Sequence, residues 1–328
     1  MKVRVHYPLS AGELRLRSDA DWERTLAPVR SDRRRGRFEF ELDNGVPYRY
    51  FKPVLQDGTV HHWARGENFL ALRERRGALD VYPYFAEDSS CHVCTLFQVP
   101  SSYEQRGYDV RVFLPPGYDE NELQRFPVLY MQDGQNLFFP GKAAYGKHWR
   151  VSETLALLER MNLVRQVIVV GVYSRERMRE YTRPGYEAYG RFLAQELKPY
   201  VDSQYRTASA AEDTAVMGSS LGGVVSLYAG WQYPHVFGQV GALSSTFGYQ
   251  DDLLERVLTE KKRALRIYLD SGWPQDNYEA TRGMAAALRS RGFREGRDLL
   301  YLAHPEGRHE EAAWAARFHV PFQFFFRR

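Results

Sequence analysis

Residues 218–223 read Gly218-Ser219-Ser220-Leu221-Gly222-Gly223 and follow directly on the apolar run Thr214-Ala215-Val216-Met217. This is the G-x-S-x-G spacing of a strand-to-helix turn so tight that its central serine takes strained dihedrals, and only glycine-sized residues two before and two after it avoid collision. Such a turn lifts a hydroxyl clear of the backbone, which makes Ser220 a candidate nucleophile. The plain alternative is a glycine-rich helix start with serine as its cap. A serine hydroxyl is a weak nucleophile near neutral pH and needs a histidine base, itself held by a carboxylate.

With this turn the partners follow in the order acid, then histidine. His309 stands in Glu306-Gly307-Arg308-His309-Glu310-Glu311, just past the apolar run Leu299–Ala303, where a base between the last strand and the last helix is required. His304 competes, but it abuts that strand and precedes Pro305, and His319 lies well into the terminal helix. The acid belongs to Leu269-Asp270-Ser271-Gly272-Trp273-Pro274-Gln275-Asp276. Asp276 sits in the loop, from which a carboxylate can reach back to the imidazole; Asp270, at the strand end, is the alternative. A developing oxyanion needs two backbone N–H groups, one from the residue after the nucleophile, here Leu221. Val128-Leu129-Tyr130-Met131-Gln132-Asp133-Gly134-Gln135-Asn136 offers the second: Gly134 lets the chain turn, and the N–H of Gln135 is the expected donor, with Asp133 and Asn136 as braces.

These side chains need a scaffold that brings distant loops to one edge. From about residue 100, short β-branched runs (Val110–Leu114, Val128–Met131, Val167–Val172, Thr214–Gly218, Val240–Leu243, Arg266–Leu269, Leu299–Ala303) alternate with helix-length segments at 186–200, 221–232, 251–262 and 278–290. Buried strands interleaved with helices predict a mostly parallel sheet covered on both faces, with its chemistry beyond the carboxyl ends of the strands. The fold class expected is therefore α/β. At 328 residues the chain has room for two domains, and residues 1–90 read differently from 91–328. Phe38-Glu39-Phe40-Glu41-Leu42 alternates with period two, Asn44-Gly45 has the composition of a hairpin turn, and Tyr48–Leu55 ends at a second turn pair, Asp57-Gly58. A small antiparallel β-sandwich is predicted there.

Together these pieces carry a resemblance. Pro115-Pro116-Gly117-Tyr118, Tyr130-Met131-Gln132-Asp133-Gly134-Gln135-Asn136, Arg179-Glu180-Tyr181-Thr182, the elbow at 218–223 and Gly307-Arg308-His309 resemble, in that order, the putative-esterase branch of the α/β-hydrolases, which includes enterochelin esterases, esterase D, feruloyl esterases and mycolyltransferases. The resemblance implies a serine carboxylic-ester hydrolase working through an acyl-enzyme, with no metal or organic cofactor. In those relatives the acid falls three or four residues after a glycine ending the seventh strand, and Gly272 to Asp276 matches. The front residues Asp21-Trp22, Phe51-Lys52-Pro53, Asp57-Gly58 and 63–69 resemble glycogen- and starch-binding accessory modules, which would make Trp22 and Trp63 sugar-stacking platforms or, failing that, packing residues. Two further readings follow: a carbohydrate-binding protein with a vestigial hydrolase body, and an acyltransferase to a sugar alcohol.

The substrate is expected to be a small-molecule ester, a carbohydrate-linked one among the candidates. Arg175, Arg177, Arg179 and Arg183 follow a strand end and could bind an anionic group, Arg183 foremost, unless they pair with Glu176, Glu180 and Glu187. Tyr145, Trp149, Tyr173 and Trp273 are candidate rim aromatics, with Trp149 and Trp273 assigned to substrate binding. The 45 basic and 41 acidic residues are interspersed, which argues against nucleic acid; the run Arg30–Arg37 reads as a solvated loop. Cys91-x-x-Cys94 lacks a second ligand pair for zinc. No window approaches the ~18 apolar residues of a membrane span, and no continuous apolar export signal opens the chain, so no membrane partner and a cytoplasmic location are expected. Composition leaves the oligomeric state open.

Overall fold

The structure, a computed structural model, describes residues 1–103, 105–143 and 146–327. Its centre is a nine-stranded sheet. Phe97–Ser101 and His92–Val93 pair antiparallel with Arg106–Leu114, which pairs antiparallel with Ile168–Val172. The sheet then continues, all parallel, through Val128–Met131, Thr214–Ser219, Gln239–Leu243, Arg266–Trp273 and Leu299–Pro305. Every run predicted as a strand beyond residue 100 lies in this sheet.

Both faces of the sheet are covered, and the period-two alternation of side chains assigns each residue to one of two cores. Val128 and Tyr130 point into one apolar cluster, Leu129 and Met131 into the other. Leu221–Gln232 explains why the strands read as uninterrupted apolar runs: this helix packs on the two strands beside it and is buried from Leu221 through Trp231. The segment at 185–204 is one continuous helix containing a π turn at Leu193–Leu197. A helix at Val151–Arg160, absent from the sequence reading, presents Val151, Leu155 and Leu158 to the second core.

The front of the chain forms two small sheets around their own core of Val3, Val5, Leu14, Leu16, Phe38, Phe40, Phe51 and neighbours. The Asp57-Gly58 turn is a hairpin: Asp57 pairs with Val60, and Gly58 takes φ +57°. Asn44-Gly45 is not. Arg37–Glu41 pairs with Lys2–His6 in one sheet, whereas Tyr48–Asp57 belongs to the other. The segment between them crosses from sheet to sheet, with the Asp43 carboxylate accepting the Gly45 N–H at 3.0 Å. The reason is burial: Phe38 and Phe40 approach the core from one side and Phe51, with Leu14 and Leu16 of the strand beside it, from the other, so pairing the two strands would strip one set of its cover. One pairing in this region is parallel, Leu79–Val81 against Lys2–His6. Arg30–Asp32 is a short edge strand and Arg33–Arg35 a turn capped by Asp32, so only part of the basic run is loop.

Two residues after the Pro-Pro-Gly-Tyr motif clasp the front sheets to the larger sheet. Glu120 accepts from the Tyr7 hydroxyl (2.9 Å), from the N–H groups of Phe85 and Ala86 (2.7 and 2.9 Å) and from Ser89 (2.6 Å). The Asn121 amide donates to the carbonyls of His6 and Pro83 at 2.9 and 2.8 Å. Cys91 and Cys94 are free thiols packed into opposite cores. No helix among the described residues is long and apolar enough to cross a membrane.

Candidate active site

Ser220 stands between the strand Thr214–Ser219 and the helix Leu221–Gln232 with φ +57° and ψ −125°, a conformation that side-chain-bearing residues rarely adopt. The glycines around it are sterically required. A Cβ on Gly218 would lie 2.7 Å from the Gly222 carbonyl, and one on Gly223 would lie 2.0 Å from the Ser245 hydroxyl. The Ser220 N–H is held by the Leu243 carbonyl on the adjacent strand (2.9 Å), so the strain is locked in by the sheet.

The His309 imidazole lies between the two groups a base must touch. Its Nε2 is 3.0 Å from Ser220 Oγ and its Nδ1 2.7 Å from Asp276 Oδ1. The loop carrying His309 reaches this position through a close backbone crossing: a Cβ on Gly272 would sit 2.0 Å from the Gly307 oxygen, and the Glu306 N–H donates to Trp273 O at 2.7 Å. The Trp314 ring stands edge-on to the imidazole, 5.1 Å away at 84°, and limits its rotation.

The two aspartates of the strand end are now separated by their partners. Asp276 faces His309 with Oδ1, while its Oδ2 accepts from the Gly272 N–H at 2.8 Å and from the Ser244 hydroxyl. Burial alone would push its carboxyl up, but hydrogen bonds from His309, Ser244 and Gly272 hold it below the usual carboxylate range. Asp270 is completely buried and faces away: its Oδ2 accepts from the Tyr268 hydroxyl (2.7 Å) and from Arg317 Nε (2.9 Å). Burial pushes the Asp270 carboxyl up, against the pull of Arg317. His304 approaches Asp270, at 3.7 Å, rather than the Ser220–His309 pair.

The segment 132–136 runs past the elbow at the end of Val128–Met131. Asp133 takes φ +54° and Gly134 begins a short 3₁₀ turn. A Cβ on Gly134 would meet the Gly171 carbonyl at 2.6 Å, so this turn can only form against the neighbouring strand with glycine there. Arg177 grips the Asp133 carboxylate with two bonds, 2.8 and 3.0 Å, and the Tyr181 hydroxyl accepts the Asp133 N–H at 3.2 Å. The backbone N–H groups of Gln135 and Leu221 have no acceptor among the described residues.

The remaining expected site residues fare differently. Each arginine of the 175–183 segment has a carboxylate partner: Arg175 with Asp109 (2.7 Å), Arg177 with Asp133, Arg179 with Glu176 (3.1 Å), and Arg183 with Asp252 (3.1 Å) and, more distantly, Glu187. The pairing expected within the segment holds for Arg179 and in part for Arg183; Arg175 reaches to the strand Arg106–Leu114 and Arg177 to the loop after Val128–Met131 instead. Trp273 is 49% exposed. Trp149 is a correction to the rim assignment: it is 3% exposed and packs on Trp314 and Phe318 inside the core, because its segment turns into the Val151–Arg160 helix. Tyr173 is half-buried with its hydroxyl accepting from Arg111, and Tyr145 lies outside the described residues. In the front sheets the guanidinium of Arg17 covers one face of Trp63 at 5.1 Å, and Trp22 leans against Trp63 at 6.3 Å.

The model of the Esterase family, described as "Putative esterase", matches residues 101–325. The chain belongs to this family. The esterase is 33% identical over 178 residues to the uncharacterized protein YjcH of Bacillus subtilis, covering 52% of this chain and 69% of the relative. It is 24% identical over 267 residues to the endo-1,4-beta-xylanase/feruloyl esterase of Xylanibacter ruminicola, covering 78% of this chain and 34% of that much longer protein. Among solved structures, a CE1 ferulic acid esterase from Anaeromyces mucronatus has a similar fold (TM-score 0.58, 18% identity), covering 74% of this chain and 94% of that one. The ferric enterobactin esterase of Salmonella typhimurium aligns over 99% of this chain and 92% of its own (TM-score 0.59, 17% identity), so the likeness of fold extends through the front sheets.

Sequence reasoning missed Ser244, Trp314 and Arg317, which surround the Asp276–His309 pair. One signal was available. Trp314 and Arg317 are three residues apart on the helix Glu311–Arg317, and both are buried there, so an arginine occupies a core-facing phase of an apolar stripe.

Proposed function

We propose that the esterase is a serine carboxylic-ester hydrolase that works through an acyl-enzyme. Ser220 Oγ attacks the ester carbonyl while His309 Nε2 takes its proton; the same imidazole then returns the proton to the departing alcohol. Asp276 accepts from Nδ1, which fixes the tautomer that leaves Nε2 free to act as base and stabilises the imidazolium once formed. The N–H groups of Leu221 and Gln135 receive the negative charge of the tetrahedral intermediate, and the bidentate Arg177–Asp133 pair holds the loop that presents Gln135. Water, activated by His309, then releases the acid. The observation that carries this reading is the unbroken chain Ser220–His309–Asp276, at 3.0 and 2.7 Å, hung on a strained elbow.

On the substrate, the reading favours an ester with a sizeable apolar or aromatic group. Met178, Tyr249 and Trp273 are each 40% or more exposed, and they lie at or beyond the carboxyl ends of three different strands near the elbow. The name feruloyl esterase on the X. ruminicola relative agrees with an aromatic acyl group. We place the acyl chemistry in residues 91–328 and give residues 1–90 an accessory role, clasped to the body through Glu120 and Asn121.

An activated ester tests the acyl-enzyme. With p-nitrophenyl acetate, stopped-flow absorbance should show a burst of nitrophenolate of about one equivalent per active site before the steady state. Added glycerol should accelerate turnover only if an alcohol can replace water, and glycerol acetate among the products would move the assignment from hydrolase to transferase. A linear time course at enzyme concentrations that make one equivalent visible, with no protein-bound acetyl found by mass spectrometry after rapid acid quench, would count against the covalent route.

A further inference from the structure

Beyond the three residues of the proposed triad, the buried network behind Asp276 has a definite hydrogen-bond direction. Ser244 lies at the end of Gln239–Leu243, fully buried, with φ +45°. Its hydroxyl touches three groups: Trp314 Nε1 at 2.9 Å, Arg317 Nη2 and Asp276 Oδ2. A hydroxyl has one hydrogen to give and two lone pairs to fill. The indole N–H and the guanidinium can only donate, so they occupy both lone pairs. The single hydrogen of Ser244 is therefore committed to Asp276 Oδ2.

That commitment fixes the rest of the chain. Oδ2, already accepting from Ser244 and the Gly272 N–H, has the Arg317 Nη2 within 3.5 Å, so Oδ1 is the oxygen left for His309. Arg317 cannot swing away, because its Nε is bonded to Asp270 at 2.9 Å and its side chain is only 6% exposed. The second aspartate thus has a use: it is the counter-ion that anchors the guanidinium. Ser244 is anchored as well. Its N–H donates to the Asp270 carbonyl (2.8 Å), and its carbonyl accepts from the Asn277 amide (2.8 Å).

We infer that Ser244 and Arg317 are positioning residues for the reaction: Arg317, held by Asp270, orients the Ser244 hydroxyl, which in turn pins the Asp276 carboxylate so that one oxygen faces His309. This rests on the reading of Ser220, His309 and Asp276 as the catalytic residues. A network that acts through Asp276 has a signature that packing alone does not: removing it should matter only while Asp276 can hold the imidazole.

The test is a double-mutant cycle on p-nitrophenyl acetate, with kcat and KM measured for S244A, R317Q, D276N, S244A/D276N and R317Q/D276N, at a temperature where thermal melts show each variant folded. S244A removes one oxygen and leaves the Arg317–Asp270 pair intact, so it decides the matter alone should R317Q fail to fold. In the wild-type background we expect kcat to fall about tenfold for S244A and about thirtyfold for R317Q, with KM changed less than about threefold. In the D276N background either change should cost less than about twofold. Equal losses in both backgrounds, or wild-type kcat for S244A, would overturn the inference. A D276N single variant with near wild-type kcat is a different result: it removes the triad reading itself.

Discussion

Ser220→Ala is expected to lower kcat/KM for p-nitrophenyl acetate by about 10⁵-fold while leaving the melting temperature at or above that of the wild type. The magnitude follows from the role. Without Oγ no acyl-enzyme forms, and what remains is water attack assisted only by the two N–H groups and by binding, which in serine hydrolases leaves roughly 10³- to 10⁴-fold catalysis over water. The stability expectation follows from geometry. Ser220 is held by its backbone, the N–H bonded to Leu243 and the carbonyl accepting from Gly223 and Val224, so alanine keeps the elbow and its strain while losing one exposed-facing bond to His309. Ser219 is the natural control. It is the last residue of the strand, paired with Leu243, and Ser219→Ala should retain most of the activity. Steady-state kinetics on both variants, with circular dichroism to confirm folding, separates the two serines.

The second large effect distinguishes the two aspartates. Asp276→Asn should lower kcat by about 10³- to 10⁴-fold with little change in KM: the Ser244 hydroxyl and the Gly272 N–H need an acceptor, so the amide oxygen takes the Oδ2 place and the NH2 faces His309, donating to Nδ1 and putting the imidazole proton on Nε2, where the base must be free. Asp270→Asn should instead act on stability. It leaves the buried Arg317 guanidinium without its counter-ion, a loss of the kind that costs about 3–5 kcal/mol, while kcat in the folded molecules falls by no more than about tenfold. The pH dependence carries the same distinction. The Asp276 carboxyl is held below its ordinary range by its hydrogen bonds, so the stability it contributes is complete above the unfolded carboxylate pKa of about 3.9 and is lost as pH falls through that value toward the lower folded one. Melting temperatures of wild type and Asp276→Asn should therefore stay apart above about pH 4 and draw together as pH falls below it. Urea midpoints and kcat measured on both variants would show whether the roles are as assigned or exchanged.

The elbow at Ser220 was legible because the constraint is local: a strand, two small residues and a serine dictate it whatever surrounds it. The place of His309 beside it was legible for a related reason, since the order of elements leaves one loop after the last strand and His309 is in it. Between the two aspartates the loop position and the spacing from Gly272 favoured Asp276, and the Gly272–Gly307 crossing is what brings His309 to that carboxylate rather than to Asp270. The network behind Asp276 was legible only at Arg317, a basic residue in the core-facing phase of its helix. Ser244, Trp314 and Arg317 are separated by up to 73 residues, and nothing in their spacing shows that they meet. Two local signals misled. Asn44-Gly45 has hairpin composition, yet the burial of Phe38, Phe40 and Phe51 on opposing sheets outweighs the turn preference. Trp149 looked like a rim aromatic because its loop follows the oxyanion segment, but the helix that begins at Val151 draws it into the core.

In the front sheets the sequence pattern identified two strands, at 38–42 and 48–55, but not the others or how they associate, since register and sheet membership depend on which face each aromatic covers. Trp63, whose one face is taken by the Arg17 guanidinium, illustrates the difference between an aromatic that is exposed and one that offers a free surface.

The most direct measurement is covalent labelling with a fluorophosphonate followed by peptide mapping. A phosphonate reacts only with a serine whose proton is being withdrawn by a correctly placed base. The account predicts stoichiometric modification confined to the peptide containing Ser220, a labelling rate reduced at least a hundredfold in His309→Ala, and none in Ser220→Ala. Modification at any other serine, or folded wild-type protein that remains unlabelled at saturating reagent, would contradict it.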